Sequence, residues 1–139
     1  GRPAINESVM NSRFEYIYIF DKNENPNRKI RTNKFRNISN VFEYNPSGKN
    51  KIKCHAATFP VALPEHYIIF ATKKNATILD LFLGSGSTLI ACEKTNRICY
   101  GMELDEHYCD IIVKRYCDWM VANNREPVIK LNGKNYEPC

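Results

Sequence analysis

The stretch that decides the fold is DLFLGSGST, residues 80–88, which overlaps the apolar run TILDLF at 77–82. A continuous apolar run with a single acid is typical of a parallel strand that is covered on both faces. Gly84 and Gly86 follow as a Gly-x-Gly turn, and the absence of a Cβ there lets backbone N–H groups approach a ligand. The stretch therefore predicts a buried strand followed by a ligand-binding turn.

The residues after this turn continue the pattern of a βαβ unit. We expect a helix over 87–96, a strand over 97–103, and a helix over 104–124 whose apolar residues recur at three- and four-residue spacings. Ser85 or Ser87 is predicted to cap the first of these helices. Together these elements predict an α/β fold built on a Rossmann-like parallel layer.

Three further elements are predicted outside this unit. Residues 14–20, FEYIYIF, are expected to form a largely buried strand, because they alternate and are rich in aromatic and β-branched residues. Pro64 is well placed in the first turn of a helix that runs to about Thr72. Residues 126–131, EPVIKL, are a candidate final strand.

The class of ligand is narrowed by one missing glycine and one acid. A dinucleotide-binding turn needs a third glycine where this chain has Leu89, and the Gly-Lys-Ser/Thr of a P-loop is absent. Glu103 ends the second strand, where a carboxylate can accept hydrogen bonds from both ribose hydroxyls. S-adenosylmethionine fits these features better than a diphosphate. The alternative is a glycine turn in an ordinary α/β protein, with Glu103 exposed by chance.

Composition predicts one globular domain of 139 residues, with no membrane partner and no secretory signal. The six cysteines form no Cys-x-x-Cys pair, and the three histidines have no familiar ligand spacing, so we expect no metal. Four of the cysteines lie in apolar periodic segments, as buried thiols do. A reducing cytoplasm is the expected location.

Positive charge is concentrated in one polar segment. The chain has a net charge of +5, and residues 22–53 contain nine basic residues against two acids. This segment is rich in asparagine and is either a loop that faces a polyanion or a merely solvated loop.

Four motifs, taken in order, resemble those of the amino-group DNA methyltransferases. Residues 80–115 resemble the family's motifs I and II, in which Asp-x-Phe-x-Gly-Ser-Gly-Thr/Ser leads to Gly-x-Glu-x-Asp/Asn-x-x-Tyr. HAATFPVALPEHYI (55–68) is similar to motif X, with Ala56 where the family usually has proline, and RFEYIYIFDK (13–22) is similar to the strand near motif VIII. This order is that of the permuted, β-type group, and the resemblance covers essentially the whole chain.

The resemblance implies a Rossmann-like S-adenosylmethionine-dependent methyltransferase fold, incomplete in this chain. It implies a single domain over 1–139, with a target-recognition-like segment at 22–53 and a cofactor-binding portion at 54–139. The cofactor contacts that it implies are His55, Ala57, Thr58, Phe59, Asp80, Phe82, Gly84, Ser85, Gly86, Ser87, Thr88, Glu103, Leu104 and Asp105.

The same resemblance implies double-stranded DNA as the partner, as in restriction-modification systems. The implied phosphate contacts are Arg28, Lys29, Arg31, Lys34 and Arg36. Family members use an Asp/Ser/Asn-Pro-Pro-Tyr/Phe tetrapeptide to hold the flipped base, and this chain has none. We therefore expect the catalytic residues upstream of Gly1 or on a partner subunit, and expect this chain alone to be inactive.

Three functions remain open at this point. The first is part of an enzyme that methylates adenine N6, or less favourably cytosine N4, in DNA. The second is a non-catalytic DNA-binding partner subunit or remnant of such an enzyme. The third is a nucleotide-linked oxidoreductase, which Leu89 disfavours.

Overall fold

The computed structural model describes residues 16–18, 20, 41, 43 and 59–137. By their contacts, the residues of the chain divide into two compact units, Gly1–Ile30 and Arg31–Cys139. The elements of the second unit are α1 (Ala62–Ala71), β1 (Thr77–Asp80), α2 (Ser87–Thr95), β2 (Ile98–Gly101), α3 (Glu106–Ala122), β3 (Ile129–Leu131) and β4 (Lys134–Tyr136). No helix within the described residues is long and apolar enough to cross a membrane.

The predicted βαβ unit is confirmed. β1 and β2 pair in parallel, with Thr77 opposite Ile98 and Asp80 opposite Gly101, and α2 connects them. Asn96 ends α2 in a left-handed conformation, which asparagine tolerates better than most residues. The boundaries differ from the predicted ones by three residues or fewer at each end.

One face of the β1–β2 pair packs against the helices. The core there consists of Ile68 of α1 with Ala91 and Cys92 of α2, and Ile78 and Cys99 of the two strands pack against it. The helix predicted with Pro64 in its first turn is confirmed as α1, which begins at Ala62. The prediction of buried thiols holds for Cys92 and Cys117, while Cys99 and Cys109 are partly buried.

The opposite face of the same pair is open, so the prediction that β1 is covered on both faces is wrong. Leu79 is 63% exposed and Tyr100 is 62% exposed, and Leu81 and Ile98 are also exposed. The physical reason is that side chains alternate along a strand, and the helices α1 and α2 cover only the face that carries Ile78 and Cys99.

The long third helix begins at a capping residue. The Asp105 carboxylate accepts a hydrogen bond from the backbone N–H of His107 at 2.8 Å, which satisfies a donor that the helix itself leaves unpaired. Ile112, Tyr116, Cys117 and Met120 are the buried residues of α3. Their successive separations of four, one and three residues place them on one side of the helix, in agreement with the predicted amphipathic pattern.

The predicted strand over 126–131 is confirmed as β3, which pairs antiparallel with β4 and not with the parallel sheet. The turn between them is Asn132-Gly133, and both residues have positive φ, 51° and 79°. Asn-Gly is a strong signal for a tight hairpin, and β4, which it implies, was not among the predicted elements.

The buried strand predicted over 14–20 is wrong for its described residues. Tyr16, Ile17, Tyr18 and Phe20 are exposed, and none of them belongs to a strand. Alternating aromatic residues indicate a strand only if another strand pairs with them, and the described strand pairs involve only β1 to β4.

Candidate cofactor site

The site lies at the carboxyl ends of β1 and β2. The backbone N–H of Met102 donates to the carbonyl of Asp80 at 2.9 Å, and the N–H of Leu83 donates to the carbonyl of Met102, also at 2.9 Å. The chain therefore stays paired just beyond both strands. Open α/β sheets bind ligands outside the carboxyl ends of their strands.

The glycine loop, residues 83–87, connects β1 to α2 through two residues that need glycine. Gly84 has a φ of 56° and Gly86 a φ of 81°. A Cβ on Gly86 would also lie 3.3 Å from the Cγ2 atom of Ile112 in α3. Both conformation and space therefore select glycine at position 86.

The expectation that Ser85 or Ser87 caps α2 is wrong. The capping residue is Gly86, and no side chain caps this helix. The physical reason is that both hydroxyls have other partners. Nη1 of Arg115 lies 3.2 Å from each of them, and the Ser87 hydroxyl donates to the carbonyl of Phe59 at 3.1 Å.

Glu103 accepts three backbone hydrogen bonds at the edge of this loop. Its Oε2 accepts from the N–H of Gly84 at 2.8 Å, and its Oε1 accepts from the N–H groups of Leu104 at 2.9 Å and Asp105 at 3.0 Å. The N–H groups of Asp105, Gly84 and Leu104 hold the pKa of the Glu103 carboxyl below its ordinary value, although burial acts in the opposite direction. Glu103 is therefore an anion at neutral pH.

Several apolar side chains around the loop are unusually open. Phe82 is 90% exposed and Leu104 is 99% exposed, and they follow β1 and β2 respectively. Phe59, which precedes α1, is also exposed, and its carbonyl is the acceptor for Ser87. An anionic carboxylate flanked by exposed apolar side chains can bind a ligand that has both hydroxyl groups and a flat ring.

The carboxylates of Asp80 and Asp105 each accept a hydrogen bond from a backbone N–H two residues further along the chain. Asp80 accepts from the backbone N–H of Phe82 at 3.0 Å, and Asp105 caps α3. Asp80 is thereby oriented at the end of β1 and Asp105 at the start of α3. Thr88 is buried in the first turn of α2.

The structure brings eleven of the sequence-predicted residues to one end of the sheet. These are Phe59, Asp80, Phe82, Gly84, Ser85, Gly86, Ser87, Thr88, Glu103, Leu104 and Asp105. His55, Ala57 and Thr58 lie outside the described residues, as do Arg28, Lys29, Arg31, Lys34 and Arg36. Among the residues that are described, no cluster of His, Cys, Asp or Glu could hold a metal ion.

Sequence reasoning missed Arg115, which donates to the backbone carbonyl of Ser85 at 2.8 Å from the middle of α3. A signal for it exists in the sequence. Arg115 directly precedes the buried pair Tyr116 and Cys117, and a guanidinium that is buried beside such residues needs hydrogen-bond acceptors.

A glycine loop beside an anionic carboxylate, at the ends of adjacent parallel strands, is typical of α/β proteins that bind a nucleoside-type ligand. A model of the N6/N4 DNA methylase family matches residues 2–114. The chain belongs to this DNA methylase family.

Two curated relatives illustrate the match. The Type II methyltransferase M.BglI of Bacillus subtilis is 32% identical over 119 residues, which cover 83% of this chain and 34% of the relative. The Type II methyltransferase M.Cfr9I of Citrobacter freundii is 38% identical over 81 residues, which cover 58% of this chain and 26% of the relative. The chain thus spans about a third or less of the length of these relatives.

Among solved structures, the complex of M1.HpyAVI with SAM is similar to this chain. The TM-score is 0.54 at 34% identity, and the match covers 60% of this chain and 42% of that one. The predicted Rossmann-like α/β methyltransferase fold is confirmed by this likeness.

Proposed function

We propose that this chain is the cofactor-binding part of a DNA amino-methyltransferase, and that it binds S-adenosylmethionine at the glycine loop. The observation that supports this proposal is the hydrogen bond from Gly84 to Glu103, which joins the loop and the acid into one site. Family membership and the likeness to a structure in complex with SAM point to the same ligand.

Glu103 is the residue to which we assign the ribose. Each carboxylate oxygen has two acceptor positions, so the three N–H groups leave one position open for a ribose hydroxyl. Displacement of one of the two local bonds to Oε1 frees a second. The lowered pKa keeps Glu103 in the charged form that makes the stronger hydrogen bonds.

The remaining parts of the cofactor are assigned to the surroundings of the loop. We place the methionine part against the turn at Gly84 and Gly86, where positive φ angles leave the backbone uncovered. We place the adenine between the exposed side chains of Phe82 and Leu104, which gain from burial against a flat ring. His55, Ala57, Thr58 and Phe59 are proposed to cover the methionine part.

Isothermal calorimetry with S-adenosylmethionine, S-adenosylhomocysteine and NAD tests this function. We expect binding of the first two and none of NAD, and binding of NAD alone would refute the proposal. Glu103→Ala is expected to weaken binding of S-adenosylmethionine by more than about tenfold, a change of about 1.4 kcal/mol. Glu126→Ala removes an exposed acid outside the site and is the matched control.

The reaction that we propose for the complete enzyme is methyl transfer to an exocyclic amine of DNA. The proposed acceptor is adenine N6, with cytosine N4 as the alternative. Nucleoside mass spectrometry of DNA modified by the complete enzyme identifies which base carries the methyl group. We propose that the basic segment 22–53 contacts the DNA, with Arg28, Lys29, Arg31, Lys34 and Arg36 on the phosphates.

We propose that the 139-residue chain alone transfers no methyl group, because its sequence contains no Pro-Pro-aromatic tetrapeptide. Incubation of the purified chain with duplex DNA and tritiated S-adenosylmethionine is expected to leave the DNA unlabelled. Incorporation of the label would show that other residues hold the base.

The open face of the β1–β2 pair is evidence that another polypeptide segment completes the domain. Parallel sheets occur almost only with both faces covered, and two strands alone are not independently stable. Leu79, Leu81, Ile98 and Tyr100 leave this face apolar and exposed. We propose that it is covered by the α/β part of the same methylase domain that carries the catalytic tetrapeptide, either upstream in the same protein or as a second subunit.

The second candidate function is a non-catalytic subunit that binds DNA and the cofactor. The absence of the tetrapeptide from this chain is the observation that favours it. The coding sequence upstream of Gly1 separates the two candidates. An in-frame Pro-Pro-aromatic motif supports the enzyme, and its absence supports the non-catalytic subunit.

A further inference from the structure

Arg115 lies on α3 and reaches the glycine loop, although Ser87 and Ser85 are 28 and 30 residues away in sequence. Its Nη1 donates to the carbonyl oxygen of Ser85 at 2.8 Å and lies 3.2 Å from the hydroxyl oxygens of Ser85 and Ser87. Since Nη1 has two hydrogens, these three acceptors share them. Both serines are buried, so water competes little for these bonds.

Ser87 extends this contact to a third element. Its hydroxyl accepts from Arg115 and donates to the carbonyl of Phe59 at 3.1 Å, and one hydroxyl can do both at once. The series Arg115, Ser87, Phe59 therefore connects α3, the start of α2 and the segment before α1. These are the elements that surround the proposed methionine end of the cofactor site.

The charge of Arg115 has no carboxylate partner among the described residues. The described ion pairs are Lys94 with Glu65, Lys114 with Asp118, and Arg125 with Glu93. Burial lowers the pKa of the Arg115 guanidinium, yet arginine remains protonated in proteins.

The first turn of α2 adds its own positive field, equivalent to about half an elementary charge. The loop therefore combines two sources of positive charge and no neutralising acid within the described residues, other than Glu103 on its ribose side. An anionic group of a ligand is favoured at such a place.

We infer that Arg115 is a positioning residue of the cofactor loop, which fixes Ser85 and Ser87 and makes the loop selective for the carboxylate of S-adenosylmethionine. This inference rests on the proposed function. Arg115 acts through the two serines and through its field, and it needs no contact with the ligand.

Calorimetry on the full chain with a matched pair of ligands tests this role. The pair is S-adenosylmethionine and its decarboxylated form, which keeps the adenosine, the sulfonium and the amine. For Arg115→Gln we expect the affinity for S-adenosylmethionine to fall by about tenfold or more, and the affinity for the decarboxylated form to change by less than about threefold. Arg115→Lys keeps the charge and is expected to lie between Arg115→Gln and the wild type.

Lys114→Gln is the control, because Lys114 is the neighbouring exposed base and its only described partner is Asp118. It is expected to change neither affinity. An equal loss for both ligands, or no loss, would overturn the role of Arg115. A wild-type chain that binds neither ligand would instead overturn the proposed function. If Arg115→Gln does not fold in a thermal melt, Arg115→Lys gives the same comparison between the two ligands.

Discussion

The backbone N–H of Gly84 donates a hydrogen bond of 2.8 Å to Oε2 of Glu103, and it thereby fastens the loop after β1 to the residue that follows β2. The two residues are nineteen apart in sequence. The acid to which we assign the ribose therefore also shapes the loop to which we assign the methionine part. A substitution at Glu103 changes both at once, so its effects on stability and on binding have to be measured separately.

The first prediction concerns stability and pH. The pKa of Glu103 is lowered in the folded chain, so the carboxylate stabilises the fold above its unfolded-state pKa of about 4.3, and this contribution disappears as the pH falls through the lower folded-state value. We expect the wild type to have a higher melting temperature than Glu103→Gln at pH 7. The difference is expected to shrink as the pH is lowered from about 4.3 towards 3.

Thermal melts followed by circular dichroism at pH 7 and at about pH 3 measure this difference in melting temperature. Glu126→Gln is the control, since Glu126 is exposed and lies outside the site. A difference that stays constant with pH would mean that the charge of Glu103 does not stabilise the loop.

The second prediction concerns Arg97, which is buried between two helix ends. Its guanidinium donates to the carbonyl of Thr72 at 2.7 Å, after α1, and to the carbonyl of Thr95, at the end of α2. A positive charge is favoured at both places, because each helix has a negative carboxyl end. Arg97→Met removes these hydrogen bonds from a charged donor in a buried place, so we expect a loss of about 2–3 kcal/mol in the free energy of unfolding.

Urea unfolding measures this loss as a lower midpoint at an unchanged slope. Lys74→Met removes an exposed positive charge near the same end of α1 and should cost less than about 0.5 kcal/mol. A similar small cost for Arg97→Met would show that solvent replaces its bonds.

The central unit of the fold was predictable from the sequence because its signals are local. A glycine turn between two apolar strands, with amphipathic helices after each strand, specifies β1, α2, β2 and α3 with little help from distant residues. The same holds for Glu103, whose place at the end of β2 follows from the strand itself. The hairpin from β3 to β4 was equally predictable from Asn132-Gly133.

The predictions that were wrong concern features that depend on contacts between residues distant in sequence. The alternating pattern of residues 14–20 predicts a strand but does not identify the strand that would pair with it. The apolar residues of β1 likewise do not show which face of the strand other elements cover. The hydroxyls of Ser85 and Ser87 are suited to capping α2, yet Arg115 and the carbonyl of Phe59 are their partners. A local sequence pattern cannot predict a hydrogen bond to a residue that is 28 or 30 positions away.

The third prediction concerns Gly101 and Leu83. A Cβ on Gly101 would lie 2.4 Å from Cδ2 of Leu83, so the leucine side chain has to move if alanine is introduced. The N–H of Leu83 bonds to the carbonyl of Met102 and its carbonyl accepts from the N–H of Gly86, so any part of this movement that reaches the backbone disturbs the glycine loop. We expect Gly101→Ala to cost about 1–3 kcal/mol, as overpacking usually does.

A double-mutant cycle tests whether this contact is the cause. Leu83→Ala removes the atoms with which the new Cβ collides, so the two substitutions together should cost about 1 kcal/mol less than the sum of the single costs. Additive costs would mean that Gly101 is required for its backbone and not for space.

The fourth prediction concerns the open face of the β1–β2 pair. Tyr100→Glu places a charge on this face, where the side chain is 62% exposed, so the isolated chain should change in stability by less than about 0.5 kcal/mol. Val121→Glu introduces the same charge at a residue of α3 that is 66% exposed, and it is the matched control.

If the rest of the methylase domain covers the open face, Tyr100→Glu should prevent the two parts from associating, and Val121→Glu should not. The reason is that association would bury the unpaired carboxylate of the new glutamate. The probe is the polypeptide encoded immediately upstream of Gly1, produced separately and mixed with each variant. Gel filtration and methyl transfer to duplex DNA are the two measurements. The wild type and Val121→Glu are expected to associate with the probe and restore transfer, whereas Tyr100→Glu does neither. Equal association of all three would place the contact on another surface, and an upstream polypeptide that binds none of them would contradict the proposed partner.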